Sequence, residues 1–560
     1  GLTSSDQMTD TPTNNFPTWN PLLSGLPSGT PTLSDGNLTA FTTGAGSGHA
    51  YATMAIPESG DWYWEVTWNT GTYWLAGIAE IDRSTVYIPL AKSIMYHSNG
   101  YFYQDATTPT GYTAASTGDV VGIRANVDAG TVSFYLNNTL LDTFTYDVKG
   151  MFPQTGDASG TPGVNTISAT ANFGQSSFTY TPPGTSVALC TANLPEPTIG
   201  PNSATQSDEH FGIQLYQAAT SNGTYTYSDL EFQPDFTWIK NRDNVERNFL
   251  IDVLRGNTSV TDKFLVSNDT SAEGANGVSG TTFSVTSNGY EFVETSIGTG
   301  ELYFNNRTYV GWNWKANGSG VTNTDGTITS TVSANTTAGF SIVTYTGTGV
   351  ESAETIGHGL GVAPKVVITK SRDATPAYNW NTYHYGVDAS APEDWFVALN
   401  NTAARLSYTA ADIWNRTQPT SSVVHVNSIL ASGGSSDRMV FYCFAEVEGF
   451  SSFGSYTGNG STNGPFIYTG FRPAFVMIKS SSTTESWNIQ DTARSTYNQS
   501  TRDLYANLSD AEYDDAYSDI DFLSNGFKLR TSLGLHTNSN GQTYVYMAFA
   551  ENPFKYSNAR

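Results

Sequence analysis

Cysteine is nearly missing. The 560 residues hold two, Cys190 and Cys443, which excludes a small secreted scaffold stapled by disulfides and fits assembly in a reducing cytoplasm. Basic residues are also scarce. Lys and Arg total 25 against 50 Asp and Glu, a formal charge of −25. A field of that sign repels nucleic-acid phosphates and anionic lipid, so neither is expected as a partner. No apolar run approaches the roughly 18 residues of a membrane span, so membrane insertion is not expected. No signal-peptide pattern opens the chain, which begins with Gly, as a processed or truncated piece of a longer product would. Sustained helical periodicity and heptads are lacking too.

What remains is the composition of extended structure. Thr, Tyr, Phe and Val suit a half-buried pleat, and Gly and Asn suit turns. The segment 59–80, SGDWYWEVTWNTGTYWLAGIAE, puts Trp62, Trp64 and Val66 on one face of a strand. The segment 118–139, GDVVGIRANVDAGTVSFYLNNT, is a strand, an Asp-Ala-Gly turn and a partner strand. With Phe152-Pro153 and Asn172-Phe173-Gly174, these features resemble a SPRY domain over about residues 30–185. The resemblance implies a bent β-sandwich used for binding through loops at one end. It carries over no binding residue. Trp62, Trp64, Phe134 and Phe173 fall at core positions of that pattern, where large aromatics supply buried area.

Beyond residue 200 one phrase occurs three times: FQPDFTWIK (232–240), VAPKVVITK (362–370) and FRPAFVMIK (471–479). Each is followed, at nearly constant distance, by an apolar closing strand beginning at Tyr309, Met439 or Tyr544. Proline opens the strand where its missing N–H costs least. The pairs Phe236/Trp238, Val366/Ile368 and Phe475/Met477 then make one face apolar. Lys240, Lys370 and Lys479 end the phrase, and the sequence reading makes each a snorkelling cap or one half of a salt bridge. The closing strand, apolar on both faces, reads as a central strand, with Cys443 an inert core thiol. The expected architecture is all-β: a SPRY-like β-sandwich over residues 1–200, then three tandem β-sandwich-like repeats at 205–320, 321–450 and 451–560. Each is read as a bead large enough for its own core. The stretch 317–339 has linker composition, although its TITSTVSA portion (327–334) alternates like a strand.

The opening LTSSDQMTDTPTNNFPTWNPL (2–22), the CTANLPEPTI segment (190–199) and the passage 326–373 are similar to structural proteins of tailed phages. That resemblance implies a tail fibre or other virion-surface protein, made in the host cytoplasm and contacting other virion proteins. By the same analogy it would be a homotrimer.

The sequence holds few motifs for chemistry. Seven histidines are scattered without metal-ligand spacing, and neither a G-x-S-x-G elbow nor a phosphate-cradling loop occurs. Paired carboxylates for glycoside hydrolysis are set by geometry and stay open. The acidic run 508–522 holds Asp510, Asp514, Asp515, Asp519 and Asp521. It reads either as a calcium site for hard oxygen ligands, with Asp510, Asp514, Asp515 and Asp519 as the ligands, or as a solvated acidic loop. Two aromatic sets carry the binding candidates. Tyr101, Tyr103 and Asp105 lie in a Gly-turn hairpin, and Trp380, Tyr383 and Trp414 lie among polar residues. Each set reads either as a sugar-stacking surface or as core. The functional expectation is a non-enzymatic adhesin displaying domains that bind host-cell surface glycan or protein. The alternatives are a purely structural capsid-decorating or baseplate protein and a glycan depolymerase.

Overall fold

The computed structural model describes residues 14–552 except 24–30, 43–47, 82–91, 106–110, 158–165, 196, 201–202, 257–262, 275–279, 297–300, 304, 351–352, 374–377, 408–412, 428–432, 515–516 and 535. It is an all-β protein: among the described residues the helical elements are three single 3-10 turns, Ser207–Glu209, Tyr385–Val387 and Pro392–Asp394. The chain divides into two compact units, one reaching to Glu196 and one spanning Pro197–Pro553.

The first unit is a sandwich of two sheets, antiparallel except where Val187–Ala188 pairs parallel to Asp61–Thr70. Its larger sheet runs Thr32–Ser34, Thr39–Thr42, Ile167–Asn172, Asp61–Thr70, Val120–Asn126, Thr131–Leu136, Thr139–Thr145. Its smaller sheet runs His49–Tyr51, Phe152–Asp157, Trp74–Ala79, Ser93–His97, Phe102–Gln104. The alternation read from Asp61–Thr70 turns Trp62, Trp64, Val66 and Trp68 into the core between the sheets, with Phe134 and Phe173 beside them. The opposite face of that strand is covered as well. Tyr63 meets Phe178 edge-on, and the buried Glu65 carboxylate accepts the backbone N–H groups of Thr179 and Tyr180 at 2.7 and 2.8 Å. A charge-assisted pair of this kind fixes the segment leaving the sandwich. The hairpin expected at 118–139 forms, and Asn137 and Asn138, both left-handed, turn the chain into a third strand.

The second unit contains three successive lobes. In each, a small outer sheet covers a larger one, and five strands of the larger sheet share one order. In the first lobe that order is Phe211–Gln217, Thr308–Trp314, Phe236–Asn241, Asn248–Asp252, Leu265–Val266. In the second it is Phe340–Thr346, Arg438–Phe444, Val366–Ser371, Asn381–His384, Val397–Ala398. In the third it is Ser451–Thr457, Thr543–Asn552, Arg472–Ser480, Asn488–Asp491, Arg502–Tyr505. The closing strand is central in all three, paired on both sides, as its two apolar faces require.

The lobes differ from beads with separate cores. One core cluster draws on all three: Phe236, Trp238, Trp312 and Trp314 from the first, Phe340, Ile368, Tyr442 and Phe444 from the second, Phe453, Phe475, Met477 and Phe549 from the third. Separate outer clusters fill the space under each small sheet. The physical reason is the doubly apolar strand: a two-layer lobe can bury only one face of its large sheet, and the other is buried against the neighbouring lobes. Cys443 lies in the second lobe's outer core, where burial pushes its thiol up to about 12. The supposed linker is mostly structured, with Val321–Asn323 at the edge of the second sheet and Ser330–Asn335 pairing it to Phe340–Thr346.

The repeated lysine also departs from the snorkelling and salt-bridge readings. Being in phase with the apolar pair, it points to the shared core, and all three are at most 1% exposed. The Lys240 ammonium donates to the carbonyl of Ser509 in the third lobe at 3.0 Å. Lys370 donates to Thr270 in the first lobe at 3.0 Å, and Lys479 to Thr402 in the second at 3.1 Å. Each also donates to a carbonyl of its own lobe: Glu246, Tyr378 or Ser480. The three lobes are therefore clasped head to tail in a closed circuit, each lysine reaching the same kind of loop on the next lobe.

Candidate functional site

A surface with free recognition capacity lies at one end of the smaller sheet of the first unit. Strands Trp74–Ala79 and Ser93–His97 pair with Leu75 opposite His97. The chain then turns tightly: Gly100, at φ +88°, donates its N–H to His97, and Asn99 accepts from Tyr101 N–H through its side chain. A Cβ at Gly100 would sit 2.3 Å from the Tyr112 carbonyl oxygen, so the turn needs glycine twice over. The returning strand Phe102–Gln104 is the sheet edge; it puts Phe102 into the core and Tyr103 on the opposite face.

That geometry gathers rings round His97. Tyr73 meets the imidazole edge-on at 6.1 Å and Tyr103 lies tilted at 5.8 Å. Tyr101 stands beside them; it is 40% exposed and Tyr73 is 48% exposed. The imidazole is buried and its Nδ1 accepts from Asn99 N–H; burial pulls its pKa down to about 4, so it is neutral at physiological pH. Burial raises the Tyr103 phenol above its ordinary value. The hydroxyls of Tyr73, Tyr101 and Tyr103 make no hydrogen bond within the protein among the described residues. Exposed ring faces with unclaimed hydroxyls can stack on an apolar face and hydrogen-bond a polar edge together.

Of the residues expected from sequence, Tyr101 and Tyr103 fall in this surface. Asp105 does not offer its carboxylate: Oδ1 accepts from Ser93 N–H and from the Tyr146 hydroxyl, locking the edge strand. Tyr73 escaped the sequence reading because it sits in the Thr-Gly-Thr-Tyr turn of a different strand pair, and only the register brings it to His97. Trp380, Tyr383 and Trp414 belong to the core and offer no face to a ligand. Trp380 lies in the shared core with Nε1 donating to Val266 at 2.9 Å. Tyr383 and Trp414 pack edge-on at 5.8 Å in the second lobe's outer core. Their polar sequence neighbours lie on loops, which hides the burial of the rings.

The acidic run is dispersed. Asp510 lies near Lys240, Asp514 accepts from the Thr501 hydroxyl at 2.5 Å, and Asp519 is buried; Asp515 lies outside the described residues. Among the described residues, no three His, Cys, Asp or Glu side chains stand close enough together to hold a metal ion.

The sandwich and the three-lobed unit together define a class: an all-β chain with a SPRY domain ahead of a larger β unit. Residues 61–156 match the family model for the SPRY domain. Residues 206–553, more than half the chain, match the model described as "Domain of unknown function (DUF7483)", and the chain belongs to that family. Among solved structures it is similar to the SPRY domain of human HERC1, at 16% identity over 26% of this chain and 94% of that one, TM-score 0.24. A human SPRY domain matches at 19% identity over 25% and 93%, TM-score 0.21. Stonustoxin matches at 25% identity over 28% of this chain and 27% of its own, TM-score 0.23. No curated protein sequence matches.

Proposed function

We propose that the chain is a non-enzymatic binding protein of a tailed-phage virion surface, whose SPRY unit engages host-cell surface glycan or protein. The observation that carries the binding part is the surface of Tyr73, Tyr101 and Tyr103 round a neutral His97, with the Tyr73 and Tyr101 rings exposed, Tyr103 half-buried, and the three hydroxyls unclaimed among the described residues. The virion setting rests on the sequence resemblance to tailed-phage structural proteins. We read the three lobes as copies of one unit, supported by the repeated phrase, the common strand order and the cyclic lysine contacts. Their mutual contacts are made within one chain, which favours a scaffold completed by a single molecule over a homotrimer formed through this unit. In this reading the second unit carries and rigidifies, and the first unit recognises.

The test is binding of the fluorescently labelled 560-residue protein to intact cells of a panel of bacterial strains, with an acidic protein of similar size as control. Saturable binding restricted to some strains supports the reading. Equal, non-saturable signal on every strain would move the protein to the purely structural alternative.

A further inference from the structure

The circuit of three lobes is closed by three seams, and corresponding positions allow them to be compared. At the seam between first and third lobes, Arg242 grips Glu512 with two bonds of 2.8 and 2.9 Å. Trp312 donates to Asp491 at 3.0 Å, and Asn248 donates to Leu508 at 2.8 Å. At the seam between second and first lobes, Arg372 grips Glu273 at 3.2 and 2.7 Å and Arg438 adds a third contact. There Tyr442 donates to Asp252 at 2.7 Å, while Arg255 donates to Tyr442 at 3.1 Å.

The seam between third and second lobes keeps the backbone part of this pattern and lacks the charges. The amide of Arg405 donates to Ser481 O at 2.9 Å, as Glu512 N–H does to Arg242 and Glu273 N–H to Arg372. Yet Ser481 stands where the other seams have arginine, and Arg405 stands where they have glutamate. Arg405 turns back into its own lobe, onto Asp388 and over the Trp395 ring at 4.1 Å. His384 replaces the buried aspartate and donates to a backbone carbonyl, Tyr546 O, at 3.0 Å. Among the described residues no ion pair crosses this seam.

We infer that the seam between the second and third lobes is a hinge at which the three-lobed unit opens while its other two seams stay shut. Both consecutive pairs of lobes are tethered by the chain itself, yet among the described residues only the seam of first and second lobes adds an ion-pair clamp to that tether. Opening would separate Lys479 and the Glu485 amide from Thr402 O, Trp487 from Ala398 O, Tyr385 from Phe453 O and His384 from Tyr546 O, neutral or single-charge hydrogen bonds of 2.8–3.1 Å, and would admit water to one rim of the shared core.

Native-state hydrogen exchange of the full chain, corrected for intrinsic rates, tests this on corresponding amides. The amide of Arg405 is expected to exchange at least about tenfold faster than those of Glu273 and Glu512. Installing the missing clamp with Ser481→Arg and Arg405→Glu should slow residue 405 towards the other two. Should that variant fail to fold, Arg242→Ser should speed the Glu512 amide towards the rate at Arg405. Equal protection at all three seams in the wild-type chain, or no response to either variant, would overturn the inference.

Discussion

Arg494 offers the sharpest test of how the lobes are held. Its guanidinium is fully buried and donates to Asp491 at 2.6 Å, to the carbonyls of Arg502 and Ile489 at 3.0 and 2.9 Å, and to Glu512 at 3.2 Å. Asp491 is equally buried and accepts Trp312 Nε1 from the first lobe. Arg494→Val therefore leaves a buried carboxylate with two N–H donors and no cation, a loss of about 3–5 kcal/mol. The second lobe shows a neutral solution at the same place, with His384 and Val387 in the positions of Asp491 and Arg494. Copying it with Asp491→His added to Arg494→Val removes the stranded charge, which recovers about 2 kcal/mol, while the carbonyls of Arg502 and Ile489 lose their Arg494 donor in both variants. The double variant should thus be more stable than Arg494→Val alone by about 2 kcal/mol. Urea unfolding followed by tryptophan fluorescence measures it, with the steeper transition assigned to the larger unit. A single-variant cost under about 1 kcal/mol, or a double variant less stable than the single, would refute the reasoning.

Burial pulls Lys479 from its ordinary value to about 7 and Lys240 and Lys370 to about 8. Each folded value lies below the unfolded one, so from about pH 7 upward the unfolded chain holds more protons and the lysine contribution to stability climbs towards pH 10. Between pH 7 and 9 each lysine should add about 1–2 kcal/mol to the unfolding free energy of the larger unit, and Lys479→Met should remove one share of that slope in urea titrations. Glu65→Leu strips two backbone N–H groups of their acceptor and should cost about 2–3 kcal/mol, with new proteolytic cleavage near Thr179 as the readout. Gly77→Ala would place a Cβ 2.2 Å from the Ile94 carbonyl oxygen, so calorimetry should show the sandwich destabilised by about 1–3 kcal/mol. Tyr73→Ala with Tyr101→Ala removes largely exposed rings and should leave the melting temperature within about 1 °C of wild type.

The strands were legible because their signals are local: alternation in Asp61–Thr70, the Asp-Ala-Gly turn at 128–130, the proline opening each copy of the repeated phrase. The lysine circuit was not, since its acceptors are loop carbonyls of Ser509, Thr270 and Thr402, on other lobes. A repeated Lys on an apolar face looks the same in sequence whether it reaches water or a neighbour. Periodicity likewise marks Phe236, Val366 and Phe475 as buried without saying that they meet in one core. At the candidate site, Tyr101 and Tyr103 were readable from one hairpin, whereas Tyr73 depends on register. Trp380 and Trp414 misled because composition reports a residue's neighbours in sequence, and burial depends on neighbours in space.

The tyrosine surface of the first unit is proposed to bind a cell-surface ligand. The most direct measurement is a binding isotherm of the full chain and its Tyr73→Ala, Tyr101→Ala variant on cells of a strain that wild type recognises. The variant should bind at least about fivefold more weakly at unchanged fold, since stacked rings carry about 1–3 kcal/mol between them. Superimposable isotherms for the two proteins would contradict it and place recognition elsewhere on the chain.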